Sequence, residues 1–279
     1  MKDRKWFAFG AVAFAAGFVA LMALRRSKPT DTPPERRDTV QRETREEEND
    51  RVIHSLVVLV AGSAYLLMGT GGGRKRGPDH TIYWARYADW AITTPLLLLS
   101  LALTALGSPF RRTALVGGLL ATDLYMIGTG YLADKPARDD PRKWAWYGMS
   151  SAAFAGLYYL LWGPLRDEAR KTGPEALDVY GRNAAFLSLV WLGYPLNFLA
   201  GPEGTGTIDE ETSTAVYAGL DVTAKVLFGL YSLTNTQEKA GAALAEGRVP
   251  EHELRPAPRA FHERMDPGSA EEGEAGQEA

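Results

Sequence analysis

Tyr217-Ala-Gly-Leu-Asp221-Val-Thr-Ala-Lys225-Val-Leu-Phe-Gly-Leu-Tyr-Ser-Leu233 is an apolar run with a carboxylate and an amine inside it. An ammonium in a stretch long enough to cross a bilayer is costly unless it is neutralised, paired or covalently changed. Asp221 stands four residues before Lys225, which on a helix sets the two groups on one face about one turn apart. The run therefore reads as a membrane helix with a functional site at Lys225.

Six more apolar runs precede it: Trp6 to Leu24, Ile53 to Gly69, Ile82 to Leu106, Ala114 to Leu132, Trp144 to Trp162 and Ala184 to Ala200, with Ala215 to Leu233 the seventh. Each is about 17–25 residues, the length of helix that crosses about 30 Å of hydrocarbon. The mildly polar average hydropathy conceals this, because charge is packed between and after the runs. The expectation is an all-α membrane protein, a bundle of seven transmembrane helices. Residues 1–235 form its membrane domain, including a charged connection over 25–52, and 236–279 form a disordered acidic tail. Within that connection, Thr30 to Arg51 reads as a turn followed by a polar helix that runs into the second span.

The first run follows a basic Met1-Lys-Asp-Arg-Lys5, but it is longer than a signal core, and Arg25-Arg26 follows where a cleavage site would be, so it reads as a span. Cysteine is absent, which excludes disulfides and thiolate metal sites. The connections after spans one, three and five carry more Lys and Arg than those after two, four and six, and Gly201 to Thr212 carries none. By the positive-inside tendency the amino terminus is outside and the carboxyl terminus cytoplasmic, in a multi-pass protein of the cell membrane.

The third run, Ile82-Tyr-Trp-Ala-Arg86-Tyr-Ala-Asp89-Trp90-Ala-Ile-Thr93-Thr94-Pro95-Leu-Leu-Leu-Leu-Ser100, holds a second set of ionisable groups. At 100° per residue Arg86, Asp89, Thr93 and Ser100 fall within about 60° of one another, a polar stripe about 21 Å long that must face the bundle interior. Arg86 and a cation on Lys225 balance Asp89 and Asp221, so the buried cluster is expected to be neutral. Asp123 in span four has no cation and is expected to be protonated and hydrogen-bonded. Trp90, Trp146, Trp191, Tyr194, Tyr65 and Phe198 occupy four spans, and several flank the charges, as a box around a flat apolar ligand would. Pro95 and Pro195 interrupt the backbone ladder in spans three and six.

These motifs resemble the microbial rhodopsins, most closely the bacteriorhodopsin-like proton pumps. The resemblance covers all seven spans and excludes the first connection and the tail. Its most specific parts are the third-run motif and Leu-Asp221-Val-Thr-Ala-Lys225-Val-x-Phe-Gly-Leu, supported by Asp123-x-x-Met126-Ile-Gly-Thr-Gly130, Trp146 with Ser150-Ser151, and Trp191-x-x-Tyr194-Pro195. The resemblance implies all-trans retinal on Lys225 as a Schiff base, Asp89 as counterion and proton acceptor, Asp221 as second counterion and Arg86 as outward gate. It also implies that Tyr65, Trp90, Thr93, Thr94, Met126, Gly130, Trp146, Ser150, Trp191, Tyr194, Pro195 and Phe198 surround the retinal. Phe198 and Tyr147 stand where the nearest relatives have tryptophan. The expected partners are the bilayer, protons as the transported ion and further copies of the chain, with no nucleic acid.

Two positions depart from the family pattern. The cytoplasmic proton donor is normally a carboxylic acid, and here that position is Ser100. Ser100 lies eleven residues from Asp89, and His54 lies eleven residues from Tyr65 on the same face, so both sit about 16 Å towards the cytoplasm. If Tyr65 is level with Asp89, His54 and Ser100 share a depth and can form a donor unit, histidine being the side chain that ordinarily titrates near physiological pH. The other reading of His54 is a polar residue at the headgroups. On the release side Glu203 matches one of the family's paired carboxylates, while the other aligns with Ser213. The leading function is a light-driven outward proton pump, a transporter and not an enzyme. Asp89 argues against a chloride pump, and the Asp-Thr-Ser set at 89, 93 and 100 does not match sodium pumps. The alternative is a phototaxis receptor, since sensory members also lack the carboxylic donor; Ala224 before the lysine is the pump-like choice.

Overall fold

The computed structural model describes residues 3–24 and 37–246, and side chains over 3–24, 46–108 and 110–237. The helices are α1 (Arg4–Ala23), α2 (Arg37–Thr70), α3 (Trp84–Leu106), α4 (Thr113–Asp134), α5 (Pro141–Leu160), α6 (Arg166–Thr172), α7 (Pro174–Trp191), α8 (Gly193–Ala200), α9 (Glu210–Val222) and α10 (Phe228–Glu246). Between α2 and α3 a two-residue antiparallel ribbon pairs β1 (Lys75–Arg76) with β2 (Thr81–Ile82), in register Lys75 to Ile82. Seven spans result, because α5 with α6, α7 with α8, and α9 with α10 are each one span with an interruption inside it. Neighbours in sequence pack side by side, and α1 meets α9 while α10 meets α2 and α7, which closes the bundle.

Six spans are long and apolar enough to cross a membrane on those grounds alone. The fifth, Trp144 to Trp162, is helical but does not reach that apolarity, since Tyr147, Ser150, Ser151, Tyr158 and Tyr159 lie within it. Side-chain distribution is inverted relative to a water-soluble protein. Val12, Val19, Leu66, Leu189 and Leu196 face outward, while Asp50, His54, Arg86, Asp89, Asp123, Asp221 and Lys225 are buried. Such charge is affordable only inside the bundle, and the outward apolar belt is what a lipid environment requires.

α1 buries Phe7, Gly10, Phe14, Gly17 and Leu21, a stripe at alternating three- and four-residue spacing. Two of these are glycines for a steric reason. A Cβ on Gly10 would stand 2.1 Å from the Tyr65 ring, and one on Gly17 would stand 2.7 Å from Val226. α1 thus closes directly onto a residue that binds Asp221 and onto the neighbour of Lys225.

Interruptions fall where the sequence breaks the ladder. Pro164 lies in a π-helical turn, Leu161–Leu165, and the Tyr180 hydroxyl donates to the Leu161 carbonyl there at 2.6 Å. In the sixth span Pro195 cannot donate to Trp191, and the helix is broken at Leu192 between α7 and α8. Pro95 is absorbed within a continuous α3. The polar helix before span two begins at Arg37, and residues 25–36 lie outside the described residues. The last helix continues to Glu246, past the boundary expected at 235, because Ala240, Ala242, Ala243, Leu244 and Ala245 are good helix formers. Residues 247–279 of the acidic tail lie outside the described residues.

Candidate functional site

Lys225 lies in a second π-helical turn, Thr223–Leu227, at the middle of the seventh span. A single wide turn of this kind alters the direction of its side chains without ending the helix. Lys225 Nζ donates to Asp89 Oδ2 at 2.5 Å and to Asp221 Oδ1 at 2.9 Å, with all three residues buried. The two carboxylates differ in their surroundings. Asp221 accepts from four donors: at Oδ1 from Lys225, Trp90 Nε1 (3.0 Å) and the Tyr194 hydroxyl (3.0 Å), and at Oδ2 from the Tyr65 hydroxyl (2.7 Å). That is the shell of a fixed anion. Asp89 Oδ1 has no hydrogen-bond partner, and the Thr93 hydroxyl donates to the Asp89 backbone carbonyl at 2.9 Å. Of the two, Asp89 is the carboxylate with an oxygen able to receive a proton.

The neutral four-charge cluster expected from the sequence is not what forms. Arg86 turns away from Lys225; its Nη1 stands 3.6 Å from Glu203 Oε1, and its guanidinium lies 4.1 Å from the Tyr217 ring centre and 5.2 Å from that of Tyr83. The reason is competition, since Asp221 is filled by neutral donors and Lys225, and Glu203 offers Arg86 a further buried carboxyl group. Glu203 belongs to the loop between α8 and α9, is 5 % exposed, and accepts from the Ser213 hydroxyl at 3.4 Å. Burial pushes its carboxyl above the ordinary glutamate range, against the opposing pull of Arg86. Nearby, Lys143 donates to the carbonyls of Ala133 (3.0 Å) and Glu203 (2.7 Å), and His80 Nε2 pairs with Asp134 Oδ1 at 2.6 Å.

A cavity beside this centre runs between spans three to seven. Trp90, Thr94, Met126, Gly130, Ser150, Trp191, Tyr194, Pro195 and Phe198 are all on its wall. Trp146 is not; its neighbour Tyr147 takes the place, stacked on Phe198 at 5.2 Å, because adjacent helical residues point about 100° apart. Tyr65 and Thr93 also lie off the wall, engaged with Asp221 and the Asp89 backbone. Asp123 lines the cavity and meets the Thr94 hydroxyl at 2.7 Å, and the same hydroxyl reaches the Trp90 carbonyl at 2.8 Å. One hydroxyl proton cannot serve both oxygens, whereas a protonated Asp123 donating to Thr94 satisfies the chain. An apolar, aromatic-walled slot beside a buried lysine held by carboxylates fits a flat polyene joined to that lysine.

At the opposite end of the bundle from Glu203, His54 and Ser100 do meet, at 3.4 Å, but around a third residue that sequence reading passed over. Asp50 Oδ1 accepts from the Ser100 hydroxyl at 2.6 Å and stands 3.3 Å from His54 Nε2, and its Oδ2 accepts from the Ser232 hydroxyl at 3.0 Å. Asp50 is 7 % exposed although it belongs to the charged segment Glu46-Glu-Glu-Asn-Asp50-Arg51. Its position one helical turn before His54 was the available signal.

Residues 4–238 match the family model described as bacteriorhodopsin-like protein. A bacteriorhodopsin of Haloterrigena sp. (strain arg-4) is 38 % identical over 187 residues, covering 65 % of this chain and 73 % of that protein. Among solved structures, the thermophilic rhodopsin from Rubrobacter xylanophilus superposes with a TM-score of 0.74 at 32 % identity, covering 87 % of this chain and all of that one. The light-driven proton pump Coccomyxa subellipsoidea rhodopsin gives 0.69 at 28 % identity, covering 84 % and 96 %.

Proposed function

The chain belongs to the bacteriorhodopsin-like proteins, the type I microbial rhodopsins, and on that premise we propose that it is a light-driven pump moving protons out of the cell. The observation that carries the reading is the unequal pair of carboxylates on Lys225, one saturated and one with an open oxygen. Retinal joined to Lys225 Nζ as a Schiff base supplies absorption of visible light and a light-dependent change in the proton affinity of that nitrogen. Trp90, Trp191, Tyr194, Met126 and Phe198 hold it, and their apolar surfaces exclude water from the charged centre.

With retinal bound, Nζ would carry a single proton and Asp89 Oδ2 would be the atom placed to take it, while Asp221 would keep its charge under Tyr65, Trp90 and Tyr194 and hold the centre's geometry. Arg86 stands three residues from Asp89 on α3 and beside Glu203. Once Asp89 is neutral, the field of Arg86 falls more fully on Glu203 and favours loss of its proton, which makes Glu203 the release group and Arg86 the gate between them. The Glu203 end and the amino terminus are outside; the His54 end is cytoplasmic, in keeping with the Lys and Arg of the connections on that side. There His54 with Ser100 stands in for the usual carboxylic donor. A homo-oligomer in the bilayer completes the proposal.

Cells expressing the protein with retinal, illuminated without buffer, test the reading. Acidification of the medium that a protonophore abolishes supports the pump. A coloured protein without any pH signal moves the assignment to a light sensor.

A further inference from the structure

His54 has no evident route to cytoplasmic protons of its own. It is fully buried, its Nδ1 is unpartnered, and its ring is packed edge-on against Phe228 (5.4 Å between centres) and against the backbone at Gly229. Beyond it towards Lys225 lie Val57, Leu97 and Phe228, all fully buried. On the other side, a small cavity at the end of the bundle is lined by Glu46, Asn49, Asp50, Ser100, Thr104 and Thr236. Asp50 and Ser100 both line that cavity and reach His54 Nε2, and of the two Asp50 is the carboxyl group, one helical turn farther from Lys225, about 6 Å along α2.

Resting on the pump reading above, we propose that Asp50 is the proton-uptake group of the cytoplasmic half, passing protons from the cavity to His54, which recharges Lys225 Nζ. At rest the pair holds one transferable proton on His54 Nε2. The hydroxyls of Ser100 and Ser232 fill the two oxygens of an ionised Asp50, and this carboxylate compensates the imidazolium. When the ring gives its proton towards Lys225 it is left neutral and Asp50 stays an anion. Asp50 then takes one proton from water in the cavity and transfers it to Nε2, so one proton enters for each that leaves. The groups facing Asp50 are His54 and Glu46 of its own helix, Ser100 and Thr104 of α3, and Ser232 and Thr236 of α10. Val179 and Asn183 of α7 border them, Val179 on the cavity and Asn183 through Ser232. Among the described residues, His54 is thus the basic group beside the carboxylate. A carboxylate serving merely to tie α2, α3 and α10 together would need neither the cavity nor the histidine.

Asp50→Asn keeps an oxygen for the hydroxyls and removes the proton exchange. After a flash, proton transfer from Nζ to Asp89 should be unchanged in this variant. Recovery of the proton at Nζ should slow by roughly a hundredfold, the contribution of a positioned proton donor, and added azide, whose conjugate acid is small and diffusible, should restore it. A second readout needs no pigment: in the 15N-histidine spectrum of the full-length protein at neutral pH, with and without retinal, the His54 ring carries two protons, and in Asp50→Asn one. His54→Gln identifies that resonance. Recovery at the unsubstituted rate, or a His54 ring unchanged by Asp50→Asn, overturns the proposal; slowed recovery in His54→Gln alone overturns Asp50 and leaves the His54 and Ser100 donor standing. Failure of the pump reading is seen separately, as absence of acidification by the unsubstituted protein.

Discussion

Tyr65→Phe and Tyr194→Phe each remove one hydroxyl donor from the same carboxylate, yet they should not cost the same. Asp221 Oδ1 has three donors, of which Tyr194 is one, and Oδ2 has Tyr65 alone. Tyr194→Phe leaves Oδ1 still served by Lys225 and Trp90 and should cost about 0.5–1.5 kcal/mol, the net worth of an ordinary hydrogen bond. Tyr65→Phe leaves a buried anionic oxygen without a partner and should cost about 1.5–3 kcal/mol, as for bonds to charged groups. The ring itself is not disturbed, because its contacts with Phe7 and Phe14 and its fit over Gly10 do not involve the hydroxyl. The difference of about 1.2 kcal/mol between the midpoints is about eightfold in the folded-to-unfolded ratio. Equilibrium unfolding in a mixed-detergent titration, read by circular dichroism on both variants, measures it. Equal losses, or a larger loss in Tyr194→Phe, would refute the claim that the two oxygens of Asp221 are unequally supported.

Asp89→Asn should retain a pigment and lose light-driven acidification in the cell assay, since an amide beside Nζ cannot take its proton. Gly10→Ala places a methyl 2.1 Å from the Tyr65 ring and should cost about 1–3 kcal/mol in the same titration, as overpacking does. Glu203 binds its proton more readily folded than unfolded, so its contribution to stability is present at low pH and lost as pH rises through the folded-state value. Thermal midpoints followed upward from acid pH should therefore fall less in Glu203→Gln than in the unsubstituted protein; parallel curves would contradict the burial of that carboxyl.

Much of the site was legible because membrane burial makes charge conspicuous. Lys225, Asp221, Asp89 and Arg86 stand out in apolar runs, and the family pattern supplied the aromatic wall, nine of whose expected members do line the cavity. The misses share a cause. Trp146 and Tyr147 are adjacent, and which of two neighbouring aromatics turns inward depends on how α5 is rotated against α4 and α8. Asp50 sits in an acidic run that reads as solvated. Only the contacts of α2 with α3 and α10 reveal that one member of that run is enclosed.

By itself the sequence determined the number and place of the spans, because backbone groups in hydrocarbon leave a helix as the available form for an apolar run of that length. It also determined that Lys225 and Asp221 share a face, through the four-residue spacing within one helix. Which partner each buried ionisable side chain meets was decided in three dimensions. Lys225 takes Asp89 across the bundle, Arg86 takes Glu203 from a loop, and His54 takes Asp50 with hydroxyls from two other helices. Those pairings depend on helix rotation and on competition for donors in a low-dielectric interior, where each buried charge must be met by whichever partner packing brings within reach.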